Sequence, residues 1–186
     1  MALRRESRLV IAFLMASGFS AAIAAAETFT ATAEVRAADG TKKTAPVTIQ
    51  IDRFSRDAER QAALKALKAT GQEGLKKKLQ SMEDLGWVEA ASKKTPIRYA
   101  AWRSTGDGRV VTVVTAEPIV HLGADLPDAK PREGYDLAIG ILVLDAAGKG
   151  HGECAPAGKI KLQENDAISI EDYGGATVWL QGIAKK

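Results

Sequence analysis

Positions 55–86 carry a helical signature, and after the first 26 residues nothing else in the chain does. On both sides the sequence reads as short alternating strands and turns. This combination constrains the fold strongly. Parallel strands need a crossover of a dozen or more residues at each connection, whereas antiparallel strands need only tight turns. One helical insert among many turns therefore predicts an antiparallel sheet.

Within the insert, Ser55 and Asp57 are candidate N-caps, because a short side-chain oxygen can accept an orphan N–H of the first turn. Asp57 and Glu59 add negative charge where the helix dipole favours it. Helix formers run on to Ala69, with Ala63, Leu64 and Leu67 on one face. Gly71 is placed to end this first helix. A second is expected from Gln72 or Glu73, with Leu75, Leu79 and Met82 as its stripe and Gly86 as its stop. Two such short helices are marginal alone and should lie across an apolar sheet. Lys76, Lys77 and Lys78 fall on the opposite face. A triple lysine suits anionic lipid or nucleic acid. Glu73, Glu83 and Asp84 dilute its field, so it reads as a solvated face.

Residues 1–26 read as a cleavable export signal. Arg4, Arg5 and Arg8 form a positive start, 9–23 is an apolar run, and Ala24-Ala25-Ala26 supplies the cleavage site before Glu27. The residues after Arg4-Arg5 fit a general secretory signal better than a twin-arginine one. No cysteine follows the site to carry a lipid, and the run is too short and alanine-rich for a stable membrane span. The expected location is periplasmic or secreted. Removing the leader takes away three arginines and one glutamate, lowering the net charge from +3 to +1. Charge thus gives no case for a polyanionic partner. About 160 residues remain (27–186), enough for one domain with one core. The single cysteine, Cys154, cannot form an internal disulfide and is expected to be buried.

Phe29, Ala31, Ala33 and Val35 alternate with polar residues over 28–37. Val47, Ile49 and Ile51 do the same over 47–51, with Asp39-Gly40 as a turn signal. Beyond the insert, 97–104 and the valine-rich 109–115 form a second hairpin around Gly106-Asp107-Gly108. The valine-rich strand is expected to be buried on both faces, under the helices. Residues 117–134 form a long proline-containing loop. Strands follow at 136–145, 151–155 (broken by Pro156 and Gly158), 159–163, 167–172 and 177–183. The predicted fold is mainly β (α+β): an antiparallel meander of eight or nine strands, curled or barrel-like. The two-helix insert lies between its second and third strands.

Candidate chemistry is sparse. His151 and Glu153 share one face of a strand, and His121 could join them from the long loop as a zinc site. The pattern lacks a second close histidine, and its bland alternative is a polar edge strand with an inward Cys154. There is no G-x-S-x-G elbow and no P-loop, and no cofactor is expected. Arg98, Tyr99, Trp102 and Arg103 interleave charge with aromatics, which can stack bases. Export and near-neutral charge speak against nucleic acid. Aromatics make up only 5% of the chain, so its three tryptophans carry weight. Trp102 and Trp179 are candidate walls of an apolar ligand cavity, the alternative being plain core filling. Tyr99 and Trp102 have opposite parity and should face different sides of the sheet.

Several local patterns carry a resemblance. These are Phe29-Thr30-Ala31-Thr32-Ala33, Ile51-Asp52-Arg53-Phe54-Ser55, Gly71-Gln72-Glu73-Gly74-Leu75 and Leu85-Gly86-Trp87-Val88. With the leader, they make the chain resemble an uncharacterised family of exported bacterial proteins of unknown function. The resemblance implies no activity and transfers no site residues.

The leading expectation is an exported, non-catalytic protein that binds a small apolar ligand in or beside a curled sheet. An envelope protein–protein interaction module and a metal-assisted enzyme using His121, His151 and Glu153 are the alternatives. A cavity beyond what side chains fill favours the first, and a solid core with an exposed apolar patch favours the second.

Overall fold

The computed structural model describes residues 9–11, 26–36, 41–119, 133–162, 168–171 and 178–186. In chain order the strands are β1 (Leu9–Ile11), β2 (Glu27–Arg36), β3 (Lys42–Ile51), β4 (Gly86–Ala90), β5 (Lys93–Thr105), β6 (Gly108–Thr115), β7 (Leu137–Asp145), β8 (Lys149–Leu162), β9 (Ile168–Glu171) and β10 (Val178–Lys185). Helix α1 (Asp57–Gln80) lies between β3 and β4. From β2 to β8 each strand pairs antiparallel with the next. Strand β10 then lies between β8 and β2 and closes an eight-stranded barrel. The expected antiparallel, barrel-like fold with its helical insert is thus the observed one.

Alternation decides what fills the barrel. Phe29, Ile51, Ile97, Val111, Leu142 and Leu180 point inward and are almost wholly buried. Cys154 is buried in the same interior cluster. Eight strands leave an interior that side chains can just fill. The void beside Val47, Val113 and Cys154 measures only about 10 Å³. The interior is therefore a packed core and not a ligand chamber. The opposite faces of β6 and β7 are apolar too: Val114 and Ile139 are buried outside the barrel, in a second cluster shared with α1. The valine-rich strand is covered on both faces, as expected.

Several boundaries differ from expectation: α1 stops at Gln80 with Ser81 as its cap, so Gly86 opens β4 instead of ending the helix, and β5 begins at Lys93 rather than 97. Strand β4 was not anticipated. Its link to β5 is the two-residue turn Ala91-Ser92, at φ 49° and 63°, without the glycine or asparagine that usually marks such a turn. Strand β3 begins at Lys42 rather than 47 and runs through Pro46, one residue beyond the last pairing with β4, where a missing N–H costs no ladder bond. Strand β8 passes through Pro156 and Gly158 instead of breaking. Those residues mark where it leaves β10 and takes up β9. The N-cap of α1 is Arg56, not Ser55 or Asp57. Ser55 is instead buried against β5: its N–H donates to the Ala100 carbonyl (2.7 Å), and its Oγ accepts from the Ala100 N–H (3.1 Å).

Strand β1 falls in the expected leader and pairs with β9, outside the closed barrel. Among the described residues no helix is long and apolar enough to cross a membrane. The expected loop 117–134 lies mostly outside the described residues. Its ends are held: the Ile119 N–H donates to the Pro156 carbonyl at 2.7 Å.

The Ala91-Ser92 turn places two non-glycine residues at positive φ, at a cost of roughly 1 kcal/mol each. Replacing Ala91→Asn together with Ser92→Gly should raise stability by about 1 kcal/mol. The readout is a higher denaturant midpoint with an unchanged slope.

Candidate functional site

The site is built by the break in α1. Thr70 and Gly71 leave helical geometry, and Gly71 sits at φ 67°, ψ −153°, a region essentially open only to glycine. A straight helix of 24 residues would be about 36 Å long. Yet Glu59 in its first turn and Glu83 just past its end both bond one guanidinium. Arg53 donates to the two Glu59 oxygens at 2.9 Å each and to Glu83 at 3.0 Å. The two arms must therefore fold back on each other. The expected helix pair with a glycine junction is recovered as two arms of one element.

The Glu59 carboxylate also accepts the Arg56 N–H at 2.7 Å, capping the first turn. Hydrogen bonding from Arg53 holds the Glu59 carboxyl below its usual range. The clasp is thus fully present at neutral pH and is lost on acidification through that lowered pKa. The second arm is tied down separately. Gln72 accepts the Ile160 N–H at 2.5 Å and donates to the Gly134 carbonyl, and Lys76 pairs with Asp136 at 3.1 Å. Arg98 of β5 donates to the Met82 carbonyl (2.5 Å) and pairs with Asp84 (2.7 Å). Lys76 and Lys77 of the triple lysine are both ion-paired, Lys77 with Glu73 at 2.8 Å.

Between the folded arms and the outer barrel wall lies a pocket of about 110 Å³. Leu64 and Leu67 line it from the first arm, and Leu75 and Leu79 from the second. Val114, Ile139, Ile141 and Ile160 supply the wall behind. Among the lining residues only Arg60, Tyr99 and Thr112 have polar side chains. Tyr99 stands opposite Val114 on the outer face, and Thr112 lies diagonally from it. The Tyr99 hydroxyl has no hydrogen-bond partner among the described residues. Burial pushes its pKa up to about 12, against the opposing pull of the Arg60 charge.

Trp102 and Trp179 are not brought together. Trp102 faces inward and packs against the barrel core, with Tyr99 on the other side of the sheet as its parity requires. It lines an open cleft of about 700 Å³ at the end of the barrel. There Glu27 accepts from Arg109 (2.9 Å to each oxygen) and from Lys185 (2.7 Å). This ion cluster closes the barrel end. Asp107 and Asp145 also line the cleft, so it favours neither sign of charge. Asp145 is engaged by its own turn, accepting from Ala147 and Lys149 at 2.9 Å. Trp179 lies on the outer wall, 40% exposed, opposite Glu34 and Glu153. His151 and Glu153 share that outer wall, and His121 lies outside the described residues. Among the described residues no three His, Cys, Asp or Glu side chains gather as metal ligands.

Sequence reasoning found both arms of α1 but not the pocket, nor Arg60 and Gln72. The usable signal was the excess of outward apolar residues on β6 and β7, which demands a cover. Comparison with known protein families, curated proteins and solved structures gives no match.

The partly buried Tyr99 makes a direct prediction. Of the three tyrosines in the chain, one should resist ionisation until about pH 12 in an alkaline absorbance titration, and Tyr99→Phe should remove that step. Folded Tyr99 holds its proton longer than the unfolded chain does. Its contribution to stability is therefore intact below the ordinary tyrosine pKa and is lost as the pH climbs toward 12.

Proposed function

We propose that the protein is exported, to the periplasm or beyond, and acts without catalysis by binding a small apolar ligand beside its barrel. The leader-like start supports export. The observation that carries the binding reading is the pocket beneath α1: about 110 Å³, walled by leucine, isoleucine and valine, and left open in a molecule whose barrel interior is full. An apolar cavity of ~150 Å³ is known to stay dry and take up benzene. This pocket is of the size that accepts one ring or a short chain. Its walls come from elements far apart in sequence, so occupancy ties the insert to the barrel.

Toluene is a suitable probe. At about ten times its Kd it should raise the melting temperature by about 3 °C. Ala63 lines the pocket from a helical position, and Ala63→Leu would fill much of the space. That variant should be at least as stable as the parent and should lose the toluene response. An equal response in both proteins, or none in the parent, would refute the pocket as the site.

One observation favours a second reading, an envelope protein–protein contact. Trp179 and Val143 are each 40% exposed, large apolar residues on the outer wall. They flank His151 across β8: Val143 stands opposite it, and Trp179 stands opposite Glu153 on the same face. If this wall is a contact, Trp179→Ser should abolish crosslinking to an envelope protein in intact cells while leaving the melting temperature within about 1 °C. Unchanged crosslinking would remove this reading.

A further inference from the structure

Resting on the pocket reading above, we infer that the ligand is a small carboxylic acid with an apolar body of about one ring or six carbons, its carboxylate held by Arg60, Tyr99 and Thr112. The pocket lining is apolar except for these three residues: Tyr99 feels the charge of Arg60, and Thr112 lies diagonally from Tyr99 on the next strand. All three can donate hydrogen bonds, and Arg60 is the only charged group among them. A purely hydrocarbon ligand would leave those donors facing apolar atoms, and burying a polar group without a partner costs roughly 1–3 kcal/mol.

Each donor has capacity to spare. The Tyr99 hydroxyl has no partner among the described residues, and burial keeps it protonated, hence a donor, until about pH 12. The Thr112 hydroxyl likewise has none among the described residues. Arg60 bonds Asp57 through Nη2 alone, and the Asp57 side chain is 74% exposed. Exposed pairs of this kind are weak. The other guanidinium N–H groups have no partner among the described residues, and their fork geometry matches a carboxylate. A cationic ligand would instead meet Arg60 as a like charge. The pocket volume sets the body: about 110 Å³ takes one six-membered ring or a short alkyl chain, not a membrane lipid tail.

The test is calorimetric titration of the folded full chain with four probes: toluene, benzoate, hexanoate and benzylamine. At least one carboxylate should bind about tenfold tighter than toluene, the gain typical of a charge-assisted hydrogen bond, and benzylamine should bind more weakly than toluene. Preference for benzoate identifies a ring, and preference for hexanoate a chain. Arg60→Gln should cut the carboxylate-to-toluene affinity ratio about tenfold, and Arg60→Lys should restore part of it. Tyr99→Phe should cut the ratio by a smaller factor. Tyr99→Phe is nearly isosteric, and circular dichroism verifies that each variant is folded. Toluene binding without carboxylate preference, or a ratio unmoved by Arg60→Gln, would overturn this inference while leaving the pocket reading intact. Failure of all four probes would overturn both.

Discussion

Closure of the barrel governs everything else. Because β10 pairs with β8 on one side and β2 on the other, the sheet has no free edge among its eight strands and its inner face is sealed. A ring of that size lined by valine, isoleucine and leucine has no room left over. The inward alternation that makes the fold stable thereby removes the lumen as a binding site. Anything this molecule holds must be held at an end or on the outside. The cleft at the end bearing Trp102 is lined by charges of both signs, Glu27 with Arg109 and Lys185, so the mainly apolar space is the one on the outer wall beneath α1.

Two energetic costs coincide at that wall. The pocket leaves the apolar side chains that line it without packing partners on one side. The hydroxyl of the partly buried Tyr99, unpaired among the described residues, adds a cost of up to about 1–3 kcal/mol. Against net stabilities of about 5–15 kcal/mol, these are not small. By contrast, the buried Ser55 is paired with Ala100 of β5. A packing gap and an unpaired donor at one place point to function there.

Much of the fold was legible because alternation is a short-range signal. Phe29 to Val35 and Val47 to Ile51 announce their strands and inner faces directly. Where a turn broke the expected chemistry, legibility failed. Ala91-Ser92 adopts positive φ without glycine, and β4 was missed with it. Pro156 looked like a strand breaker because a proline is costly only where a ladder bond is due, and at the partner switch in β8 none is. Ser55 looked like a cap because its backbone pairing with Ala100 depends on a strand 45 residues away. The site was less legible still. Leu64, Leu67, Leu75 and Leu79 were each recognised as stripe residues. That two stripes face each other across a gap depends on the fold-back at Gly71 and on the reach of Arg53, and no periodicity records either.

The forces that hold the two arms over the pocket are unequal. Arg53 sets the fold-back, but its side chain is 26% exposed and Glu83 is 80% exposed, so solvent and salt screen that half of the clasp. The Arg53–Glu59 half is better sheltered, at 26% and 21% exposure, and is bidentate. Gln72 contributes differently. It bonds two backbone groups, the Ile160 N–H and the Gly134 carbonyl, which would otherwise be left unpaired in a half-buried position. The second arm, carrying Gln72, Leu75 and Leu79, is therefore the fixed wall of the pocket. The first arm rests on Ala63 and Leu67 and is pinned chiefly at its root, by Ser55 and Glu59. Arg60 follows Glu59 directly, at that root. The charge that would greet a ligand thus sits where the first arm is anchored.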